Sequence, residues 1–198
     1  MLHTDTSEFG EIALQSASDF RLIMEAMSRP GKVMTFDEIH ESTGTMNAGS
    51  SMVAMTLCDH ETPVWLDDEL STEEVKEFVR FNCSSPITDD PSGTQFGFFS
   101  KPPSNEELER FPLGTPAYPD RSATLVIQID RLSEGSGVVL GGPGIKTIHK
   151  LNANGLEKSF WNWWQQNNMR FPLGIDVILT TDTSIAALPR TVQVMEVV

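Results

Sequence analysis

The first part of the chain alternates apolar and polar positions with helical spacing. This spacing predicts a helix over residues 19–27. Its apolar face holds Phe20, Ile23, Met24 and Met27. Ser18 or Asp19 can cap the free N–H groups at its start, and Arg29-Pro30-Gly31 ends it.

Four later helices are predicted, and three of them have a residue pattern that marks the first turn. A second helix is predicted over 50–57, and S-x-x-E capping boxes open the next two at Ser71 and Ser104. Asn154 is the predicted cap of an aromatic helix. That helix carries Phe160, Trp161, Trp163 and Trp164. Helical spacing leaves Trp161 nearer the other side, so we expect the aromatic set to serve the core and a partner contact.

Apolar runs between these helices predict strands. They cover 62–66, 96–99, 123–129, 138–140, 176–181 and 191–197. Runs without clean alternation are typical of a sheet that is covered on both faces. We therefore expect one three-layer α/β domain over 1–198, in which residues 1–17 form an extension. A mixed sheet of at least five strands would have 123–129 near its centre.

One pentapeptide occurs twice, as Arg-Phe-Pro-Leu-Gly at 110–114 and at 170–174. Each copy follows a predicted helix and precedes a predicted strand. Proline and glycine account for a helix stop and a turn at both places, so we interpret the repeat as a reused connector.

The charge balance limits the partners. Acidic residues outnumber basic ones by 28 to 14, which disfavours nucleic acid and anionic membrane surfaces. An anionic substrate would need a local cluster of basic or N–H groups. No signal peptide and no run of about 20 apolar residues is present, and the two cysteines form no C-x-x-C pair. These features favour a reducing cytoplasm.

Two glycine turns are candidate anion sites. Arg29, Gly31 and Lys32 bring positive charge and a permissive backbone to one turn, although a plain helix end explains the same residues. After a predicted strand, Gly141, Gly142 and Gly144 can present N–H groups beside Lys146, although a plain tight turn is the alternative. Neither stretch matches a nucleotide-binding loop.

Metal and nucleophile signals are weak. Asp59-His60-Glu61 places three potential ligands in a row, but neighbours in an extended segment face opposite ways. The other histidines lack ligand spacing, and no nucleophile elbow is present. We therefore expect no metal site and assign no catalytic residue.

Six ordered segments lie at 20–31, 57–66, 119–124, 141–145, 171–176 and 187–191. Together, in this order and spacing, they resemble the H subunit of the bacterial carbon-phosphorus lyase system, the PhnH family. The resemblance runs from about Ser18 to Val194, without a large insertion.

The resemblance implies more than the patterns do. It implies an α/β fold related to pyridoxal-phosphate-dependent transferases but without the cofactor, and a homodimer that joins larger assemblies. With the G, I and L proteins, the family is implicated in replacing the adenine of a nucleoside triphosphate by a phosphonate. The J protein later cleaves the carbon-phosphorus bond, which agrees with the absence of a cysteine cluster here.

Three functional interpretations stay open. The leading one is a non-autonomous subunit that organises the phosphonate-transferring complex. The second is an enzyme subunit whose own cleft binds a phosphonate or nucleotide through Arg29, Lys32, the glycines of 141–144 and Arg190. The third, a pyridoxal-phosphate enzyme, needs a Schiff-base lysine, and none of the six lysines stands out.

Overall fold

The computed structural model describes residues 5–36 and 40–197, and only the backbone of residues 5–12. Helices and strands are interleaved along the chain. In order they are α1 (Asp5–Ser28), β1 (Met34–Thr35), α2 (Ala48–Leu57), β2 (Val64–Leu66), α3 (Glu73–Phe78), β3 (Phe96–Phe99), α4 (Asn105–Leu108), β4 (Thr124–Gln128), β5 (Leu132–Gly141), β6 (His149–Ala153), α5 (Lys158–Met169), β7 (Asp176–Thr180), β8 (Ser184–Leu188) and β9 (Gln193–Glu196). A π-helical turn over Val79–Cys83 continues α3.

The main sheet has six strands in the order β1-β8-β7-β4-β3-β2. Strands β2, β3, β4 and β7 run parallel, whereas β8 and β1 are antiparallel to their neighbours. The central part of β4 is buried, as a strand covered on both faces should be. The predicted mixed sheet with the 123–129 strand near its centre is therefore confirmed.

One face of this sheet packs against α1, α2 and α3. Alternate residues of the parallel strands, such as Phe98, Val126 and Ile178, form one apolar cluster with Ile23 of α1 and Met52 of α2. All five side chains are almost completely buried. A helical layer over this face agrees with the sequence-based expectation.

The opposite face differs from the expected helical layer. Besides α4 and α5, it is covered by a second, antiparallel sheet in the order β6-β5-β9. The indole N–H of Trp164 donates to the carbonyl of Val192 at 3.0 Å and ties α5 to the segment before β9. All four aromatic residues of 160–164 are buried. The prediction that Trp161 serves a partner contact is therefore wrong, because its ring lies in the same cluster as the others.

Helix starts were predicted with mixed success. The Ser104–Glu107 capping box is present. The cap of α3 is Thr72, one residue after the predicted Ser71, and its hydroxyl accepts from the N–H of Val75 at 3.3 Å. Before α5 the cap position belongs to Glu157, so the prediction of an Asn154 cap is wrong.

Helix α1 also begins earlier than predicted. Asp19 lies inside the helix, where its carboxylate is 3.0 Å from Nε2 of His40 in a buried pair. The proposed cap at Ser18 or Asp19 is therefore wrong. In the strands, β5 extends well beyond the predicted 138–140, and β1, β6 and β8 were not predicted. Within the described residues, no helix has the length and apolar character needed to cross a membrane.

Candidate functional site

A polar cleft lies at the carboxyl edge of the parallel strands, where open α/β sheets commonly bind ligands. It has a volume of about 350 Å³. The segments that follow β3, β4 and β7 line it, together with Asn47 and Asn154-Gly155. Since α2 begins at Ala48, the N-terminus of this helix points into the same region.

The first N–H groups of α2 already have partners inside the protein. The N–H of Ala48 donates to the carboxylate of Asp182 at 3.2 Å, and that of Gly49 donates to the carbonyl of Thr181 at 3.1 Å. Asn47 caps the helix, because its side-chain oxygen accepts from the N–H of Ser50 at 2.8 Å. An internal carboxylate thus occupies the position that a bound anion takes in other helix N-termini.

The charges of the cleft also oppose an anion. Lys101 is the one basic residue among the described residues that line it, whereas Asp130 and Asp182 contribute carboxylates. Lys101 is paired with Glu69, and the hydrogen bond between them holds the pKa of Glu69 below its ordinary value and that of Lys101 above it. The cleft therefore suits hydroxyl or amine groups better than phosphate.

Asp67 fastens the loops behind the cleft. Its buried carboxylate accepts hydrogen bonds from the N–H of Ser100 at 2.7 Å, from the Ser100 hydroxyl at 2.6 Å and from the N–H of Leu70 at 2.8 Å. These bonds join the segments that follow β2 and β3. The role of Asp67 is therefore to position the backbone at the carboxyl edge.

The amino edge of the sheet is fastened by Arg190. Its Nε donates to the carboxylate of Asp176 at 3.1 Å, and Nη2 contacts the same carboxylate. Nη1 donates to the carbonyls of Pro119 and Pro172, at 2.9 and 3.4 Å, and Nη2 also reaches the hydroxyl of Ser122. The guanidinium group of Arg190, which was a candidate for anion binding, is thus hydrogen-bonded to groups of the protein itself.

The two copies of the repeated pentapeptide meet at this edge. The N–H of Gly174 donates to the carbonyl of Leu113 at 3.0 Å, so the second copy is hydrogen-bonded to the first. The backbone of Gly114 is left-handed, with φ of 79°. A side chain there would meet the carbonyl oxygen of Pro119 at 2.8 Å. Both copies are turns before parallel strands, as a reused connector should be.

The basic residues of the first glycine turn share one acidic partner. Arg29 lies 3.1 Å and Lys32 3.4 Å from the same carboxylate oxygen of Glu25. The N–H of Gly31 donates to the carbonyl of Ala187 at 2.9 Å. A Cβ on Gly31 would lie 2.5 Å from Leu140, so this glycine permits close packing of the helix end on the second sheet. The geometry favours the helix-end interpretation of this stretch.

The second glycine turn packs on the first. A Cβ on Gly144, whose φ is +85°, would lie 2.4 Å from the carbonyl oxygen of Ser28. On Gly142 it would lie 3.0 Å from the carbonyl oxygen of Thr191. The segments 28–32 and 141–144 and the backbone of Thr191 therefore lie close together in the structure. The side chain of Arg190 does not join them, because it contacts Asp176. A role of these residues in anion binding stays a prediction.

The remaining reactive side chains are the histidines, the cysteines and the acidic residues around His60. In the part of the chain that the structure describes, no group of three or more potential metal ligands occurs. His60 is exposed in a turn, where the Asp59 carboxylate accepts from the N–H of Glu61 at 2.8 Å. Burial raises the pKa of the Cys58 thiol and raises that of Cys83 to about 11. Both cysteines are therefore protonated at neutral pH and poorly nucleophilic.

Comparison with known proteins identifies the family. The family model described as bacterial phosphonate metabolism protein PhnH matches residues 7–195. The chain belongs to the PhnH family. The resemblance drawn from the six sequence segments is thereby confirmed, whereas the suggested relation to pyridoxal-phosphate-dependent transferases stays a prediction.

Two relatives of this family carry informative names. The chain is 36% identical over 183 residues to the α-D-ribose 1-methylphosphonate 5-triphosphate synthase subunit PhnH of Rhizobium meliloti (strain 1021), covering 92% of both proteins. It is 31% identical over 176 residues to the putative C-P lyase subunit protein HtxG of Stutzerimonas stutzeri, covering 88% of this chain and 83% of that relative.

Sequence reasoning missed the groups that organise the two edges. Asp67 and Asp182 pair with groups 33 and 134 residues away, and Asp176 pairs with Arg190, 14 residues away. No local spacing signals such pairs. The repeated pentapeptide was the one usable signal, because it marked both connectors that Arg190 joins.

Proposed function

We propose that this chain is a non-autonomous subunit of the carbon-phosphorus lyase machinery for phosphonate catabolism. With the G, I and L proteins, it would form ribose 1-methylphosphonate 5-triphosphate from ATP and methylphosphonate, and the J protein would act afterwards. The observation that carries this proposal is the 36% identity to the synthase subunit over 92% of both chains.

The distribution of charge supports a non-autonomous role. The reaction joins two anions, since an oxygen of the phosphonate replaces adenine at the ribose of a nucleoside triphosphate. A site for it must neutralise several negative charges. Here the basic residues of the candidate sites are already paired, because Arg190 is bound to Asp176 and Lys101 to Glu69, and Arg29 and Lys32 share Glu25. The partner subunits would therefore supply most of the positive charge.

The proposal includes the state of the protein in solution. We expect a cytoplasmic homodimer that buries on the order of 2,000 Å² or more. Light scattering at micromolar concentration checks this, and a mass of 21.9 kDa would contradict it. We also expect neither pyridoxal phosphate nor stoichiometric metal, to be checked by visible absorbance and elemental analysis of the purified protein.

Reconstitution tests the function. The isolated chain should not convert ATP and methylphosphonate to product, whereas a mixture of the G, I and L proteins should depend on it. If the chain mainly organises its partners, Arg29→Ala should leave both assembly and activity almost unchanged. Turnover by the isolated chain at the rate of the full mixture would contradict the proposal.

The second candidate function gives a different result in the same assay. It places phosphonate or nucleotide binding in this chain, at Arg29, Gly31, Lys32, the glycines of 141–144 and Arg190. The observation in its favour is that the two glycine turns pack together. Under this alternative, Arg29→Ala or Lys32→Ala would preserve assembly but lower activity. A lost charge-assisted hydrogen bond of about 1.5 to 3 kcal/mol corresponds to roughly 10 to 150-fold.

A further inference from the structure

The phenylalanine of the repeated pentapeptide is buried in the first copy and exposed in the second. Phe111 in the first copy is 4% exposed, and its ring packs 5.4 Å from Trp65 and 5.6 Å from Phe99. Phe171 in the second copy is 60% exposed. Both copies are connectors before parallel strands, yet the phenylalanine packs in the core in one copy and faces solvent in the other.

Other large side chains surround Phe171 at the amino edge. Tyr118 is 52% and Met169 is 77% exposed. One nitrogen of Arg190 donates to the carbonyls of Pro119 and Pro172, which directly follow Tyr118 and Phe171, and so brings together the backbone segments that carry the two aromatic residues. We call Tyr118, Arg121, Met169, Arg170 and Phe171 the amino-edge patch.

The charge of the amino-edge patch is opposite to that of the whole chain. Arg121 stacks on the ring of Tyr118, 4.2 Å from its centroid, and Arg170 is also exposed. Within the described residues neither arginine forms an ion pair, and Asp120 is the exposed carboxylate next to Arg121. The chain as a whole carries −14. Exposed aromatic residues, methionine and arginine are the groups enriched at the centres of protein interfaces.

We propose that the amino-edge patch docks another protein subunit of the assembly, whose facing surface combines apolar side chains with carboxylates. This inference rests on the proposed function, because it assumes that the chain works inside a complex. Arg190 fixes the two connectors before binding, so little conformational freedom is lost on docking. The carboxylates of the partner would pair with Arg121 and Arg170.

A second copy of this chain fits the patch poorly. A two-fold interface brings a surface patch against itself, and Arg121 and Arg170 would then meet arginines of the same sign. Contact with the acidic carboxyl edge of another copy would be head-to-tail and would build rings or open filaments, not the expected two-fold dimer. Nucleic acid is disfavoured by the net charge of −14.

The test measures association of the full-length protein with the purified G, I and L proteins, singly and together. Phe171→Ser and Arg170→Glu should each weaken the affinity at least about tenfold, as expected for central interface residues. The matched control is Phe81→Ser, which removes an 88% exposed phenylalanine from the π-helical turn. It should bind like the wild type, and circular dichroism should show that all three variants are folded.

Each outcome separates this inference from the proposed function. If the wild type binds its partners and both patch variants bind equally well, the inference is wrong while the proposed function stands. If the variants instead convert a homodimer into monomers in light scattering, the patch is a self-association surface and the inference is also wrong. If the wild type binds none of the three proteins, the proposed function itself fails and the inference falls with it.

Discussion

The two edges of the six-stranded sheet hold their loops together with groups of opposite charge. At the amino edge, the guanidinium group of Arg190 donates to four residues from two segments of the chain, 119–122 and 172–176. At the carboxyl edge, the carboxylates of Asp67 and Asp182 accept from backbone N–H groups of Leu70, Ser100 and Ala48. Asp67 is buried and Arg190 is partly buried, whereas Asp182 is exposed, and all three charged groups form hydrogen bonds within the protein.

The two edges also differ in which groups they expose for binding. Topology favours the carboxyl edge as the ligand site of an α/β sheet. Here the helix N-terminus at that edge is already capped by Asn47 and neutralised by Asp182, while the amino edge exposes aromatic residues and arginines. Fold alone therefore does not locate the functional surface of this protein.

The largest effect is expected from removing the tie at the amino edge. Arg190→Met removes the charged partner of the Asp176 carboxylate, which is 14% exposed and keeps only the hydrogen bond from the backbone N–H of residue 190, so it should lower the free energy of unfolding by about 3–5 kcal/mol. Urea denaturation measures this. The control Arg80→Met breaks an exposed ion pair with Glu73 and should cost about 1 kcal/mol or less.

A double variant sharpens this prediction. Asp176→Asn in the Arg190→Met background removes the uncompensated charge, so part of the lost stability should return. If Arg190→Met proved no more harmful than Arg80→Met, the guanidinium group would not be what holds the amino edge together.

A smaller effect is expected at the carboxyl edge. Asp67→Ala leaves the N–H groups of Leu70 and Ser100 without their acceptor and should cost about 2–3 kcal/mol. The control is Asp130→Ala, because this exposed carboxylate lines the same cleft without holding a loop. Equal urea midpoints for the two variants would show that buried carboxylates do not fasten this edge.

The sheet was largely predictable because its signals are local. The buried strands β3, β4 and β7 are runs of apolar residues with turn residues at both ends. By contrast, Ser184–Leu188 carries few large side chains and follows a turn closely, so β8 gave no separate signal. Asp19 is a residue type that often caps helices, but α1 begins at Asp5, so Asp19 lies inside the helix and pairs with His40, 21 residues away.

The candidate site was less predictable because residue types alone do not show which acidic groups its basic residues contact. Arg29 and Lys32 are residue types that often bind anions. Both, however, lie beside Glu25 of α1, which precedes them by four and seven residues. Nothing near Arg190 in the sequence indicates that Asp176 accepts from it. The exposure of Phe171 could not be inferred either, since its local sequence is the same as that of the buried Phe111.

The smallest expected effect is a pH-dependent contribution of Glu107 to stability at the carboxyl edge. At the carboxyl edge, the carboxylate of Glu107 accepts from the N–H of Ser104 at 2.8 Å in the capping box of α4. This hydrogen bond, together with the one from the Ser104 hydroxyl, holds the pKa of Glu107 below its ordinary value of 4.5. A carboxyl group whose pKa is lowered by folding stabilises the protein above its unfolded pKa and loses that contribution as the pH falls through the folded pKa.

Glu107→Gln should therefore lower stability by about 1 kcal/mol or less at pH 7, because a neutral amide accepts more weakly than a carboxylate. The difference from the wild type should shrink as the pH falls below 4.5, the ordinary pKa of glutamate, because the wild-type carboxyl group becomes neutral as well. Thermal unfolding between pH 3 and pH 7 measures this. Glu106→Gln is the control, since Glu106 shares the first turn of α4 but lies outside the capping box. A difference that stayed constant over this pH range would mean that the charge of Glu107 does not strengthen the cap.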